Sequence, residues 1–286
     1  MAEMVRRRGR SGYLLIIPGG LWLLVFFAFP FYSLIATSLY DPAGSDFRGY
    51  QMTYAFGNYV DVVEAYWQPL LRSLLYGAIA TFFCLVLGYV LAYAIAFKSG
   101  RWKTLMLVLV IAPFLTSFLV RTLSWKLLLA DDGFIVNTLQ LLQVLGDDGR
   151  LLATPVAVIA GLVYNFLPFM VLPLFASLDK MDYRLIEASR DLYGNPVVSF
   201  FKVTWPLSLP GVVSGTLLTF IPAVGDFINA ELLGNTNTRM IGNVIQSLFT
   251  DANDYPAAGA LSVILMTMIL AMVLVYVRRA GTEELL

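Results

Sequence analysis

The sequence predicts an all-α membrane protein with six transmembrane helices, and three observations support this prediction. Hydrophobic residues make up 59% of the 286 residues and charged residues 13%, whereas soluble globular domains have about 45–50% apolar and about 25% charged residues. The mean hydropathy is +0.76. Six apolar runs reach the roughly 20 residues that a helix needs to cross the hydrocarbon core. Because these runs lack the alternation typical of membrane β-strands, we expect helices.

The six runs are expected to form one transmembrane domain that covers residues 1–286. They lie at residues 13–39, 70–97, 104–129, 153–175, 207–233 and 257–277. The first run is too long for a signal-peptide core and no small-residue cleavage site follows it, so we expect it to remain as a helix. Kinks are predicted in runs three to five, at Pro113, Pro168, Pro173, Pro210, Gly211 and Pro222.

The distribution of Lys and Arg predicts that both termini are cytoplasmic. Thirteen of the 19 Lys and Arg residues precede run one, separate runs two and three or four and five, or follow run six. Cytoplasmic loops of membrane proteins are enriched in these residues. The long connection at residues 176–206 is therefore expected to be cytoplasmic as well.

Residues that are absent from the chain exclude several function classes. There is no histidine and a single cysteine, Cys84, which excludes Ser–His–Asp catalysis, a His-ligated metal and an intrachain disulfide. Cys84 lies inside an apolar run and is predicted to be a small buried hydrophobic residue. No G-x-x-x-x-G-K-[ST] motif is present, so the chain does not hydrolyse nucleotides through a P-loop. The balanced charge argues against nucleic-acid binding.

The connection at residues 176–206 is predicted to contain two short helices. Apolar residues recur at helical spacing from residue 178 to residue 192. Gly194 suits the position just after a helix end, where a left-handed backbone is needed. Asn195 then reads as an N-cap with Pro196 in the first turn of the next helix, and Pro206 is predicted to end that helix.

This connection resembles the "EAA" loop of ABC-importer permeases. The resemblance rests on Glu187-Ala188-Ser189-Arg190-Asp191-Leu192 and the Val203-Thr204-Trp205-Pro206 that follows. The usual glycine of the family, six residues after the Glu, falls on Tyr193, and Gly194 follows it, which indicates a shifted turn. Residues 113–122 and 225–243 are similar to the spermidine/putrescine branch of these permeases. The resemblance covers about residues 13–279.

The resemblance implies a type I ABC importer permease fold in a bacterial inner membrane. The chain would then be a non-enzymatic permease subunit with a second homologous permease, two cytoplasmic ATPase subunits and an extracytoplasmic solute-binding protein, surrounded by lipid. It implies no cofactor in this chain, because ATP and Mg are bound by the ATPase. Glu187 would pair with a basic group of the ATPase, and Ala188 and Gly194 would permit close approach. Asp191 would cap or pair locally, and Arg190 is expected to act within the loop, three residues from Glu187.

Polar residues in the predicted spans are the candidates for contact with the cargo. An ionisable residue inside the bilayer normally faces a cavity or a partner, because its insertion is costly. Asp226, Asn229 and Glu231 lie late in run five, with residue 226 about 29 Å along a helix that starts at residue 207. Asp226 is favoured as the cavity-facing acid over Glu231, which lies about 140° around the helix from it. The alternative is that Asp226 pairs with a Lys or Arg of a neighbouring span or subunit. Aromatic or amide surface suited to a polycation is offered by Tyr89, Tyr93, Tyr164 and Asn165.

Three alternatives stay open from the sequence. The first is an ABC permease for another small solute, such as an amino acid, an organic phosphonate or iron. The second is a stand-alone secondary transporter or channel, which would show inverted repeats and unwound half-helices, and the two halves of the sequence show no convincing repeat. The third is a membrane-embedded enzyme, which the lack of histidine and of clustered carboxylates disfavours.

Overall fold

The computed structural model describes residues 16–44, 49–146 and 149–280, and the regular secondary structure in these ranges is helical. This confirms the predicted all-α class. The helices are α1 (Ile16–Ser38), α2 (Gly57–Phe97), α3 (Lys103–Ile111), α4 (Phe118–Leu128), α5 (Phe134–Leu141), α6 (Pro155–Asp179), α7 (Tyr183–Tyr193), α8 (Pro196–Val224), α9 (Ile228–Leu233), α10 (Ile241–Thr250) and α11 (Tyr255–Ala280).

Five of these helices are long and apolar enough to cross a membrane, namely α1, α2, α6, α8 and α11. The pair α3 and α4 makes a sixth span if the two helices are counted together. The number of spans predicted from the sequence therefore agrees with the upper count, and the differences lie in where individual helices begin, bend and end.

The kink predicted at Pro113 in the third span, residues 104–129, is a full break of the helix in the structure. After α3 the chain tightens into a 3₁₀ turn at Ala112–Leu115. Thr116 and Ser117 are then extended, with ψ values of 154° and 137°, and α4 leaves at 93° to the first segment. Pro113 lies in the 3₁₀ turn and has no N–H to continue the α-helical hydrogen bonds, which is the local reason for the break.

The fifth predicted span also differs, because α8 already begins at Pro196 and ends at Val224. Pro206 does not end the helix, contrary to the prediction. The five residues Phe200–Thr204 form a π-helical turn that ends two residues before Pro206. Such a widened turn shifts the backbone hydrogen bonds that a proline would otherwise interrupt. Residues 225–227 form a break, and α9 follows as a separate short helix.

Two further boundaries move. Helix α2 starts at Gly57 rather than at residue 70 and has a kink at Tyr66, where φ is −124° and ψ is 19°. Pro69 follows within the same helix, and its ring displaces the carbonyl of the preceding turn. Helix α6 continues to Asp179, so the connection that was predicted to begin at residue 176 begins one helical turn later.

The chain divides into two compact units, the first containing residues up to 65 together with 245–267, and the second containing 66–244 with the residues after 267. In the first unit, the hydroxyls of Ser38 and Tyr59 are 2.6 Å apart and hydrogen-bonded. Asn58 Nδ2 donates to the Ser38 carbonyl at 3.0 Å. These bonds connect the end of α1 to the start of α2. The single domain predicted for residues 1–286 stays a prediction.

The second unit is built around α6, with α8 packed along it. Gly211 permits this approach, since a Cβ atom there would lie 2.8 Å from the Pro173 carbonyl oxygen and 2.6 Å from Ser177 Cβ. Cys84 of α2 is fully buried against α6 and its thiol lies 3.5 Å from the Val163 carbonyl. The prediction of a buried, structural Cys84 is thereby confirmed.

Candidate coupling and translocation sites

The turn between α7 and α8 has the local structure that the sequence predicts. Gly194 follows α7 with a φ of 62°, a left-handed conformation that costs glycine little. Asn195 caps α8, and its side-chain oxygen accepts a hydrogen bond from the Val197 N–H at 2.9 Å. Pro196 occupies the first turn, where a missing N–H costs nothing. The helix–turn–helix is therefore specified by residues that are neighbours in the chain.

The two faces of α7 have different environments. On the inner face Ile186 is buried, and the Ser189 hydroxyl is hydrogen-bonded both to the Ile186 carbonyl and to the Ser199 hydroxyl of α8. Glu187, Ala188 and Asp191 are exposed, as is Gly194 in the turn. The Arg190 side chain lies outside the described part of the chain. The outer face thus presents carboxylates on a helix that is held to α8 from behind.

Large apolar side chains surround these carboxylates. Leu185 is 50% exposed, Leu192 75% and Val197 62%. A cavity of about 580 Å³ lies behind Leu185, lined by residues of α6, of the 180–182 segment and of α8. Exposed apolar side chains next to charged ones are typical of a protein-docking surface. We call the exposed residues 185, 187, 188, 191, 192, 194 and 197 the coupling surface.

A second polar site lies where α4, α6 and α9 pack together, next to the break after α8. Asp226, in the break after α8, accepts a hydrogen bond from the Asn229 N–H at 2.8 Å. Asn165 of α6 donates through Nδ2 to Asn229 Oδ1 at 3.0 Å and to Thr122 Oγ1 of α4 at 3.1 Å. All four residues are buried. We call Thr122, Asn165, Asp226 and Asn229 the polar cluster.

Segment 240–243 holds the break after α8 in place. The Asn243 amide donates to the Phe227 carbonyl at 2.8 Å and to Glu231 Oε2 at 3.1 Å. Gly242 approaches so closely that a Cβ atom would lie 2.6 Å from the Gly225 carbonyl oxygen. Glu231 is exposed and bonded to Asn243, so its side chain does not join the polar cluster.

The structure separates the predicted tyrosines from the polar cluster. The Tyr89 hydroxyl lies 2.8 Å from Ser208 Oγ near the middle of α8, and Ser208 is about 24 Å along that helix from its end at residue 224. Tyr93 packs on Phe97 with ring centroids 5.0 Å apart. Tyr164 packs on Trp125 at 5.4 Å and lines an apolar groove. Of the seven predicted path residues, Asp226, Asn229 and Asn165 are thus brought together.

Three polar residues at these sites were not singled out from the sequence. Arg121 and Thr122 lie in the first turns of α4, after the first break, and Asn243 donates to the Phe227 carbonyl at the second break. The feature of the sequence that could have identified them is the presence of polar side chains within or beside long apolar runs. Among the described residues, no group of three His, Cys, Asp or Glu side chains is placed to hold a metal ion.

Comparison with known proteins decides the family. Residues 84–280 match the family described as "Binding-protein-dependent transport system inner membrane component". The chain belongs to this family of permeases. The resemblance drawn from the "EAA"-like loop is confirmed, and the chain is a multi-pass transport subunit of the cytoplasmic membrane rather than an enzyme. Its family also places it in a transport system that depends on a binding protein.

Individual relatives of this permease match over most of its length. It is 37% identical over 258 residues to the spermidine/putrescine transport system permease protein PotB of Haemophilus influenzae, covering 90% of each chain. It is 38% identical to PotB of Escherichia coli K12, covering 90% of this chain and 93% of the relative.

Solved structures confirm the predicted importer fold. A bacterial ABC transporter for the acidic polysaccharide alginate matches with a TM-score of 0.76 and 17% identity over 97% of both chains. The same kind of transporter in complex with an alginate-bound periplasmic protein matches with a TM-score of 0.74 and 18% identity over 96% of both chains. The orientation of the termini in the membrane stays a prediction.

Proposed function

We propose that this permease forms half of the translocation path of an ATP-driven importer for spermidine or putrescine. The two relatives at 37–38% identity are named as permeases for these polyamines. The polar cluster contains a carboxylate and amide oxygens, which suit an ammonium group and disfavour an anionic cargo such as a phosphonate. No observation in the described part of the chain favours an amino acid or iron.

The coupling surface is the observation that carries the ATP-driven part of the proposal. An exposed Glu187 among exposed Leu185, Leu192 and Val197 is suited to a groove with an apolar floor and a basic group. Ala188 and Gly194 add little bulk, which permits close approach. We assign this groove to an ATPase subunit that binds ATP and Mg, so this chain itself needs no cofactor.

Helix α8 connects the coupling surface with the polar cluster. It begins at the capped turn and runs 29 residues to Val224, a length of roughly 40 Å, and Asp226 follows directly. A helix transmits a displacement of one end to the other because its backbone hydrogen bonds keep it stiff. A movement of the coupling surface would therefore shift the break that holds Asp226.

The remaining partners of the proposal rest on the resemblance to ABC-importer permeases. Six spans supply only half of a path, which supports a second homologous permease. The resemblance implies two cytoplasmic ATPase subunits and an external solute-binding protein, all in or at a lipid bilayer. The excess of Lys and Arg near the coupling surface supports a cytoplasmic location for this surface and for both termini. ATP binding would close the ATPase pair, and the permease halves would then open outwards to receive the cargo.

Uptake of labelled spermidine by the complete reconstituted complex tests the proposal. Glu187→Lys should abolish ATP-driven uptake while the protein remains in the membrane, because the reversed charge opposes a basic group on the ATPase. Glu64→Lys, at an exposed carboxylate of α2, serves as the matched control and should transport normally. Normal uptake by Glu187→Lys would contradict the coupling role, and a wild-type complex that takes up no polyamine would contradict the substrate.

A further inference from the structure

Arg121 is a buried cation that the proposed path does not use. It lies in the first turn of α4, directly after the break at Thr116 and Ser117, and is only 8% exposed. Its Nε and Nη1 atoms are buried and have no hydrogen-bond partner among the described residues. The guanidinium carbon lies 5.0 Å from the centre of the Phe114 ring and 5.6 Å from that of Phe118.

These contacts do not compensate the charge fully. A cation–π contact with phenylalanine offsets part of the loss of hydration. The desolvation free energy of an unpaired charge in a water-poor interior nevertheless exceeds the stabilisation that cation–π contacts give, unless an anion or several hydrogen bonds accompany the charge. In the conformation seen here the guanidinium therefore stays under-satisfied, and a conformation that brought it to an anion would be favoured by electrostatics.

Asp226 is a buried anion in the break between α8 and α9. It too is 8% exposed, and its Oδ1 atom accepts a backbone N–H of Asn229. Helices α4 and α9 pack against each other, and Thr122, next to Arg121, belongs to the same polar cluster as Asp226. A buried cation on α4 and a buried anion two residues before α9 thus lie on or next to two packed helices.

Both charges also follow a helix break. Arg121 stands four residues after Ser117, and its N–H bonds to the Ser117 carbonyl at 3.1 Å. Asp226 stands between α8 and the six-residue α9. Backbone breaks concentrate rotation into a few residues, so short segments can shift while the long helices keep their packing. A change of state at the two breaks can therefore alter the separation of the two charges.

We propose that Arg121 is an internal counter-ion for Asp226, which binds the carboxylate when no substrate ammonium group is there and yields it when cargo arrives. The inference rests on the proposed polyamine function and adds a specificity-determining residue to it. Because one carboxylate cannot serve two cations equally, return of the guanidinium would displace the bound ammonium group and assist its release.

Spermidine uptake by the complete complex tests this through kcat and KM. Arg121→Gln should lower kcat at least about threefold and lower KM as well, because the competing cation is gone while release loses assistance. Asp226→Asn should raise KM. In the double variant, Arg121→Gln with Asp226→Asn, the loss of uptake should equal that of Asp226→Asn alone. Arg121→Lys should restore much of the wild-type behaviour, and Lys126→Gln, an exposed cation of α4, is the matched control.

The outcomes separate the two proposals. If the fold-losses in uptake of the two single variants multiply in the double variant, the counter-ion role is overturned. An unchanged KM in Arg121→Gln would overturn it as well. Either result leaves the proposal of polyamine transport intact. No polyamine uptake by the wild-type complex would overturn the proposed function. If Arg121→Gln fails to assemble, a charge exchange, Arg121→Asp with Asp226→Arg, is tested in its place. Assembly of the exchange variant but not of Arg121→Asp alone supports the ion pair. Failure of both variants to assemble overturns it.

Discussion

At the scale of single residues, Asn165 joins three helices through one side chain. Its Nδ2 atom reaches Thr122 of α4 and Asn229 of α9, while its own helix, α6, forms the centre of the second unit. It is 1% exposed, so water cannot replace these partners. Removing one member of a buried polar set leaves the others unsatisfied, which costs more than the hydrogen bond itself contributes.

We predict that Asn165→Leu lowers the free energy of unfolding by about 1–2 kcal/mol. For a chain of this size that corresponds to a fall in Tm of roughly 2–6 °C, measurable by thermal unfolding of the purified permease in detergent. Asn237→Ala, at an exposed asparagine, should leave the Tm unchanged. A Tm for Asn165→Leu equal to that of the wild type would mean that the cluster does not stabilise the fold.

At the scale of elements, the close packing of α8 on α6 determines how the coupling surface is connected to the polar cluster. The two helices approach at Gly211 and again at Gly215, where a Cβ atom would lie 3.2 Å from the Met170 carbonyl oxygen. Since the atoms close to Gly211 include the Pro173 carbonyl oxygen and Leu174 Cα, a side chain at Gly211 cannot be accommodated by a rotamer change alone.

Gly211→Ala is expected to destabilise the permease by about 1–3 kcal/mol through overpacking. The comparison variant is Gly20→Ala in α1, where a Cβ atom meets nothing within 4 Å, and where alanine is the better helix former. Thermal unfolding of both variants should show a lower Tm for Gly211→Ala alone. Equal Tm values would show that the two helices separate readily enough to admit a methyl group.

At the scale of the whole molecule, the permease supplies helices for a path but no means of hydrolysing ATP. Its long apolar helices agree with a membrane subunit, and its family works together with a binding protein. Its described residues include one sharply bent helix pair, α3 and α4. Broken spans are also found in secondary transporters, but membership of the binding-protein-dependent family decides against a stand-alone transporter.

The purified chain reconstituted alone should therefore show no spermidine uptake above that of empty liposomes, with or without an ion gradient. Adding the second permease, the ATPase and the binding protein should bring ATP-dependent uptake. Omitting each component in turn is the control. Gradient-driven uptake by this chain alone would favour the secondary transporter instead.

The sequence by itself determined the features that depend on neighbouring residues or on composition. The apolar runs specify membrane helices, because hydropathy accumulates along a segment. Gly194, Asn195 and Pro196 specify the turn before α8, because a positive φ, an N-cap and an N1 proline act within three positions. Asp226 and the outer face of α7 could be selected in the same way, from charge and helical spacing.

Only the tertiary structure decided how sharply the spans bend and which polar groups meet. Asn165 and Asn229 are separated by 64 residues and Asn243 bonds back to Phe227, so neither contact has a local signature. The burial of Arg121 depends likewise on the position of α4 after its 93° bend. Local propensity determines that a helix forms, but packing and hydrogen bonds from distant segments determine where it ends and what its polar side chains contact.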